Sequence, residues 1–239
     1  MPTALVLSAG GMFAAWEIGV WKALAEHFTP DLIVGASAGA WNGWCIAGGA
    51  TVADLIRDWM DPVTATLMQP GLHSTGFLRP DALHAKAREL FDRYKPRIPF
   101  GLTVVEVPRM RVRLVRDEQI DWRYLAATCS IPMAFPPVTI DGKRYVDGGL
   151  MGALPLWAAQ EMGATRVIAL NCLTTLPFRI LHRSLRWSQP RAEFDAIRIE
   201  PSQPLGSLRD TFRWSAANIE RFISLGEMDG KRALASITM

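Results

Sequence analysis

The chain has 239 residues, 49% of them hydrophobic and 21% charged, and 26 basic against 23 acidic side chains leave a formal net charge of +3. That apolar fraction excludes intrinsic disorder, and the small charge excess gives no electrostatic footprint for nucleic acid. The three cysteines, Cys45, Cys129 and Cys172, form no CxxC pair, so neither a disulfide framework nor a thiolate zinc site is indicated and a reducing, cytoplasmic location is expected.

Met1 to Ser8 lacks a basic leader and carries only a short apolar run, which predicts a first strand over Ala4 to Leu7 rather than a signal peptide. Ser8-Ala9-Gly10-Gly11 breaks it, and Ile18, Trp21, Leu24 and Ala25 recur at helical spacing from about Ala15. Leu32-Ile33-Val34 is a second apolar strand, followed by a small-residue helix over Ala38 to Ala47. The weakly charged stretch Val34 to Ala50 falls short of the roughly 18 apolar residues of a membrane span. Helices are predicted at Val52 to Met60 and Asp81 to Tyr94, then a hairpin of Thr103 to Val107 and Arg111 to Val115. Asp141-Gly142 predicts a tight turn between Val138–Ile140 and Arg144–Val146. A helix over Leu156 to Met162 with Gly163 behind it leads to a strand at Arg166 to Leu170. Beyond lie a basic, aromatic stretch at Phe178 to Trp187, a strand at Ala196 to Ile199, and a final helix from about Leu208. With no repeat and no linker composition, one domain over 1–239 is expected, its motif-bearing core at 4–171 and a looser part at 172–239. Strands apolar on both faces, alternating with helices, argue for an α/β sheet covered on both sides.

The sharpest chemical signal is Gly35-Ala36-Ser37-Ala38-Gly39 at a strand-to-helix junction. A nucleophile elbow holds its serine in a strained backbone conformation, and Gly35 and Gly39 let strand and helix approach closely enough to expose the hydroxyl. The loop after the neighbouring strand would lie on the same sheet edge, so the amides of Gly10, Gly11 and Met12 are candidates for an oxyanion hole. The same loop fits neither a P-loop nor GxGxxG. A serine nucleophile needs a base. His27, His73 and His84 sit in no motif. His182 would satisfy the chain order of an α/β-hydrolase but is surrounded by Arg179, Arg183 and Arg186, which disfavour an imidazolium. Asp147, at the end of an apolar strand and followed by Gly148 and Gly149, is the better candidate.

Four ordered blocks carry a family resemblance: Ser8-Ala9-Gly10-Gly11, Gly35-Ala36-Ser37-Ala38-Gly39, Ser130-Ile131-Pro132-Met133-Ala134-Phe135-Pro136-Pro137, and Asp147-Gly148-Gly149. Together they resemble the patatin-like phospholipases over about Ala4 to Asn171. The resemblance implies a three-layer α/β/α fold with a mostly parallel central sheet. It also implies a Ser37-Asp147 dyad working without histidine, cofactor or metal, with Gly10 and Gly11 as oxyanion glycines. The expected activity is hydrolysis of lipid or carboxylic esters through an acyl-enzyme. Two readings stand beside it: an esterase with a histidine base, and a lipid-binding homologue of weakened activity. The chain departs from the family pattern at Ala9, at Phe13 where a cation is usual, and at Ala14. The two alanines put methyl groups where positive φ is expected, and Gly152-Ala153-Leu154-Pro155 lacks the family's Asn.

A lipid or acyl ester is the expected partner, with no nucleic acid and an oligomeric state left open. On a helix, Phe178, Leu181 and Leu185 would share one face and Arg179, Arg183 and Arg186 another. Peripheral membrane contact through this segment is therefore expected, beside the plainer reading of a surface helix. Trp41 and Trp44, just beyond Ser37, read first as core residues and second as walls of an acyl pocket.

Overall fold

Ala4 to Leu7 forms the strand that its apolar run predicts, β1 (Thr3–Leu7), in the interior of an eight-stranded sheet. The computed structural model describes residues 1–73, 76–174 and 196–237, so His182 and the segment 178–187 lie outside the described residues. Four further strands run parallel with β1: β2 (Leu32–Ala36) on one side, with β5 (Phe100–Val107) beyond it, and β9 (Arg166–Leu170) on the other, with β10 (Ala196–Ile199) outermost. β6 (Arg111–Arg116) returns antiparallel on β5 as the predicted hairpin. β7 (Val138–Ile140) and β8 (Lys143–Asp147) form the second hairpin, turned by Asp141 at φ 49° and Gly142 at φ 76°. The expected three-layer arrangement with a mostly parallel sheet is therefore present.

Alternation along β1 and β2 divides the core. Leu5, Leu7 and Ile33 point to one face, and Ala4, Val6, Leu32 and Val34 to the other. The first face carries a thick helical layer: α1 (Ala15–Leu24), α2 (Ala38–Ala47), α3 (Val52–Met60), α4 (Pro80–Arg93) and α5 (Trp122–Thr128). The second is covered by α6 (Leu156–Glu161) through Trp157, Ala158 and Ala159. Sequence periodicity did not foresee α5, which is only 7 residues long and starts from Asp121, whose carboxylate accepts the Arg123 N–H at 2.8 Å. It also did not foresee the small hairpin of β3 (Pro70–His73) and β4 (Gly76–Leu78). The final helix begins later than its sequence suggests: Leu208–Phe212 is a separate 3-10 turn capped by Ser207 and Asp210, and α7 runs Ala216–Ile237. No helix among the described residues is long and apolar enough to cross a membrane.

The site is placed by register. Residues 101–103 of β5 pair with both β2 and β6, and residues 104–106 with both β6 and β8. β2 and β8 therefore share the same edge of β5. One runs parallel to β5 and the other antiparallel, so their C-termini meet, Ala36 opposite Thr103 and Asp147 opposite Val104.

Helix α7 crosses α1 at glycines. A Cβ on Gly19 would lie 2.0 Å from the Ile223 carbonyl, and one on Gly226 would lie 2.0 Å from that of Trp16. Neither neighbour is a flexible side-chain end, so the helices would have to separate. Gly226→Val is expected to destabilise the fold by about 1–3 kcal/mol, read as a lower urea midpoint with an unchanged m-value.

Candidate active site

Ser37 is the residue between β2 and α2, at φ 53° and ψ −133°. A non-glycine residue pays for such a conformation in strain, which persists only where its surroundings hold it. Here they do. A Cβ at Gly35 would lie 2.5 Å from Ala40 Cα, and one at Gly39 would lie 2.3 Å from the Ser8 carbonyl, so both neighbours of the elbow must be glycine. The Ser37 N–H donates to Thr128 Oγ1 at 2.9 Å, and the Thr128 hydroxyl donates to the Thr103 carbonyl at 2.8 Å. Thr128 thus pins the elbow to β5. No sequence pattern marked it, because its role depends on α5 lying against the end of β2.

The Ser37 hydroxyl donates to Asp147 Oδ2 at 2.6 Å, and Asp147 Oδ1 accepts the Gly149 N–H at 2.7 Å. The Asp147 N–H is itself held by the Ser130 carbonyl at 3.0 Å, in the third sequence block. Gly148 passes so close to β5 that a Cβ would meet the Thr103 carbonyl at 2.0 Å. Ser37 and Asp147 are both buried, at 3% and 4% exposure. Burial pushes the Asp147 carboxyl up from 3.8 to about 7, against the two hydrogen bonds, which favour its charged form. A carboxylate of that strength can take the serine proton at neutral pH, which an aspartate at its ordinary value does poorly.

Gly10, Gly11 and Met12 follow β1, the strand beside β2, and lead into a 3-10 turn over Gly11–Ala14. Gly11 and Met12 share with Ser37 the wall of one apolar cavity, lined also by Trp41, Trp59, Leu83 and Phe135. The N–H groups of Gly10, Gly11 and Met12 have no hydrogen-bond partner among the described residues. The expected strain at the two alanines is absent. Gly11 alone in this loop has positive φ, at 53°, whereas Ala14 sits at φ −65° and Ala9 takes no positive φ. Phe13 is 1% exposed and meets Phe222 of α7 edge to face, with centroids 5.5 Å apart. An apolar anchor thus replaces the cation usual at that position.

Neither His27 nor His84 hydrogen-bonds to Ser37. His27 is exposed beyond α1, His73 lies in β3, and His84 meets the Trp122 ring at 5.7 Å. The two tryptophans divide: Trp41 lines the cavity, whereas Trp44 is core, packed between Phe91 and Phe100. Two polar residues behind the site were unmarked. Asn42 lines the cavity, and Glu17 is buried completely beneath the glycine loop's two ends.

A family model described as Patatin-like phospholipase matches residues 5–159. Patatin-like phospholipase domain-containing protein 7 of Rattus norvegicus is 28% identical over 183 residues, covering 70% of this chain and 13% of that protein. Neuropathy target esterase sws of Drosophila melanogaster is 27% identical over 179 residues, covering 70% of this chain and 11% of that protein. The chain thus spans about an eighth or less of the length of these relatives. The solved structure of VipD from Legionella pneumophila shares the fold, with a TM-score of 0.57 at 12% identity over 98% of this chain and 67% of that one. The matched residues run from β1 into α6 and include the glycine loop, the Ser37 elbow and Asp147-Gly148-Gly149, and the chain belongs to the patatin-like phospholipase family.

Proposed function

We propose that the protein hydrolyses carboxylic esters of lipids, with Ser37 as nucleophile, Asp147 as general base, and the amides of Gly10, Gly11 and Met12 as the oxyanion hole. The observation that carries this reading is the 2.6 Å hydrogen bond from a strained serine, at the wall of an apolar cavity, to a buried carboxylate that pairs with no cation among the described residues. The names of the relatives, a phospholipase and an esterase, support the same reaction class.

In this mechanism Ser37 Oγ attacks the ester carbonyl as its proton passes to Asp147 Oδ2, and the carbonyl oxygen becomes an oxyanion facing the loop amides. Collapse breaks the bond to the leaving alkoxide, which takes the proton from Asp147. Water then attacks the acyl-serine, giving one proton to Asp147, and the Ser37 oxygen recovers it as the free acid leaves. Preorganised donors matter here because the dyad lacks an imidazolium; losing one such donor typically costs about 100- to 1000-fold.

Ser37, Trp41 and Cys45 lie at successive i+4 positions along one face of α2 and all line the cavity. At 1.5 Å per residue the cavity follows the helix for about 12 Å, which suits one extended acyl chain of medium length.

Three outcomes are expected. On a short p-nitrophenyl ester, Ser37→Ala and Asp147→Asn lose turnover, and the wild-type kcat/KM falls as pH drops below about 7, where Asp147 becomes protonated. Full activity in Asp147→Asn would instead favour a histidine base, and failure of a fluorophosphonate probe to label Ser37 in the folded protein would favour a binding role. Cys45→Phe shortens the cavity: at about 0.8 kcal/mol per buried methylene, excluding three of them disfavours a decanoyl over a butyryl ester by roughly 50-fold in kcat/KM.

The third concerns stability. The raised carboxyl of Asp147 gives a contribution fully present below about pH 4 and lost as pH rises through about 7. Asp147→Asn is expected to gain Tm over wild type between these limits and to keep that gain above them. Each kcal/mol corresponds to about 2–4 °C in a chain of this size. A difference in Tm that does not change with pH would contradict the burial of a titrating carboxyl.

A further inference from the structure

Glu17 has no part in the chemistry proposed above, yet it is 0% exposed on the first turn of α1. A buried carboxyl is costly unless its oxygens are paired, and among the described residues no cation pairs with this one. Instead Oε1 accepts the Ser8 N–H at 2.8 Å and lies 3.2 Å from Ser8 Oγ, and Oε2 accepts the Asn42 Nδ2–H at 3.0 Å. Ser8 directly follows β1 and Glu17 stands in α1, so their contact closes a ring of chain that contains Gly10, Gly11 and Met12. Asn42 fastens that ring to α2, the helix that begins at the elbow. Its Nδ2 also donates to the Ala14 carbonyl at 2.9 Å, and its Oδ1 accepts the Trp59 Nε1–H at 2.9 Å.

Resting on the reading of Ser37 as nucleophile, we infer that Glu17 is a positioning residue whose carboxyl group clasps the glycine loop and ties it to α2, fixing the loop amides relative to Ser37 Oγ. The pairing is consistent in either protonation state. Ser8 Oγ accepts the Cys172 N–H at 3.0 Å and lies 3.3 Å from Cys172 Sγ, which lies 3.5 Å from the Ala9 carbonyl. As an acid, Glu17 donates its proton to Ser8 Oγ, whose own hydrogen turns to Cys172 Sγ, and the thiol hydrogen turns to Ala9. As a carboxylate, it accepts the Ser8 hydroxyl instead. The two states differ in charge, and an ionised Glu17 sets a negative charge against the ring that would hold an oxyanion.

Burial pushes the Glu17 carboxyl up to about 8, with the bonds from Asn42 and Ser8 acting the other way. Among the described residues the titratable group facing it is the buried Cys172 thiol. On α7, which packs on α1, Glu227 pairs with Lys22 and Asp229 accepts the Trp16 Nε1–H.

The test measures kcat, KM and their pH dependence from about pH 5 to 9.5 on p-nitrophenyl butyrate, for the full chain and its Glu17→Gln and Ser8→Ala variants. A glutamine cannot both accept from Ser8 N–H and avoid opposing a donor to Asn42, so Glu17→Gln is expected to lose about 10-fold or more in kcat with KM within about twofold. The wild type should show an alkaline limb near pH 8 that Glu17→Gln abolishes. Ser8→Ala removes a bond that favours the charged form and should move that limb to higher pH. If Glu17→Gln melts near the assay temperature, Ser8→Ala decides alone. Wild-type kcat and an unmoved limb in the folded variants overturn the inference. Undiminished turnover in Ser37→Ala would instead overturn the hydrolase reading beneath it.

Discussion

Strand β5 is longer than either strand paired along the edge it offers to β2, and two strands of opposite direction divide that edge between them. β2 ends at Ala36 and β8 ends at Asp147, opposite adjacent residues of β5. Side chains more than a hundred positions apart in sequence are thereby brought to hydrogen-bonding distance by backbone pairing alone. The rest of the site is fitted around this meeting. Gly148 must pass against Thr103, Thr128 must bridge the elbow to the same stretch of β5, and α2 must leave at once because β8 blocks any continuation of β2.

The meeting also determines the electrostatics. Asp147 is buried at the end of β8, and among the described residues no basic side chain compensates it. Desolvation therefore dominates over the two hydrogen bonds it accepts. The same low-dielectric surroundings act on Glu17 a few residues from the glycine loop. Two carboxyl groups that pair with no cation among the described residues, pushed up to about 7 and about 8, thus stand near the elbow, Asp147 bonded to the Ser37 hydroxyl and Glu17 to Ser8 at the head of the glycine loop.

Much of this was legible in the residues. Continuous apolar runs announced the parallel strands, and the Gly35 and Gly39 pair announced a junction too tight for any Cβ. Asp147 was readable because two glycines after an apolar strand leave a carboxylate little to do locally. What stayed hidden depends on partners distant in sequence. Thr128 and Glu17 look like ordinary helix residues until the strand ends that they support are in place. Ala9 and Ala14 invited an expectation of strain, but the loop needs positive φ only at Gly11 and closes with ordinary backbone elsewhere. Phe13 looked like a missing charge and is an anchor for α7 instead. The beginning of α7 was misplaced because the Ser207–Asp210 capping box heads a 3-10 turn, not the long helix that follows.

The glycine crossing of α1 and α7 separates two boundaries that are easily equated. The residues that match the family model stop within α6, but β1 pairs with β9, and the groove at Gly19 is filled by α7. A segment cut at residue 159 would keep every residue of the proposed dyad and loop. It would also leave β1 as a bare sheet edge open to pairing with other chains and leave α1, with Glu17 on it, uncovered along its glycine face. The family match and the packing that covers it therefore have different ends, and the last third of the chain is the part that closes over the matched part.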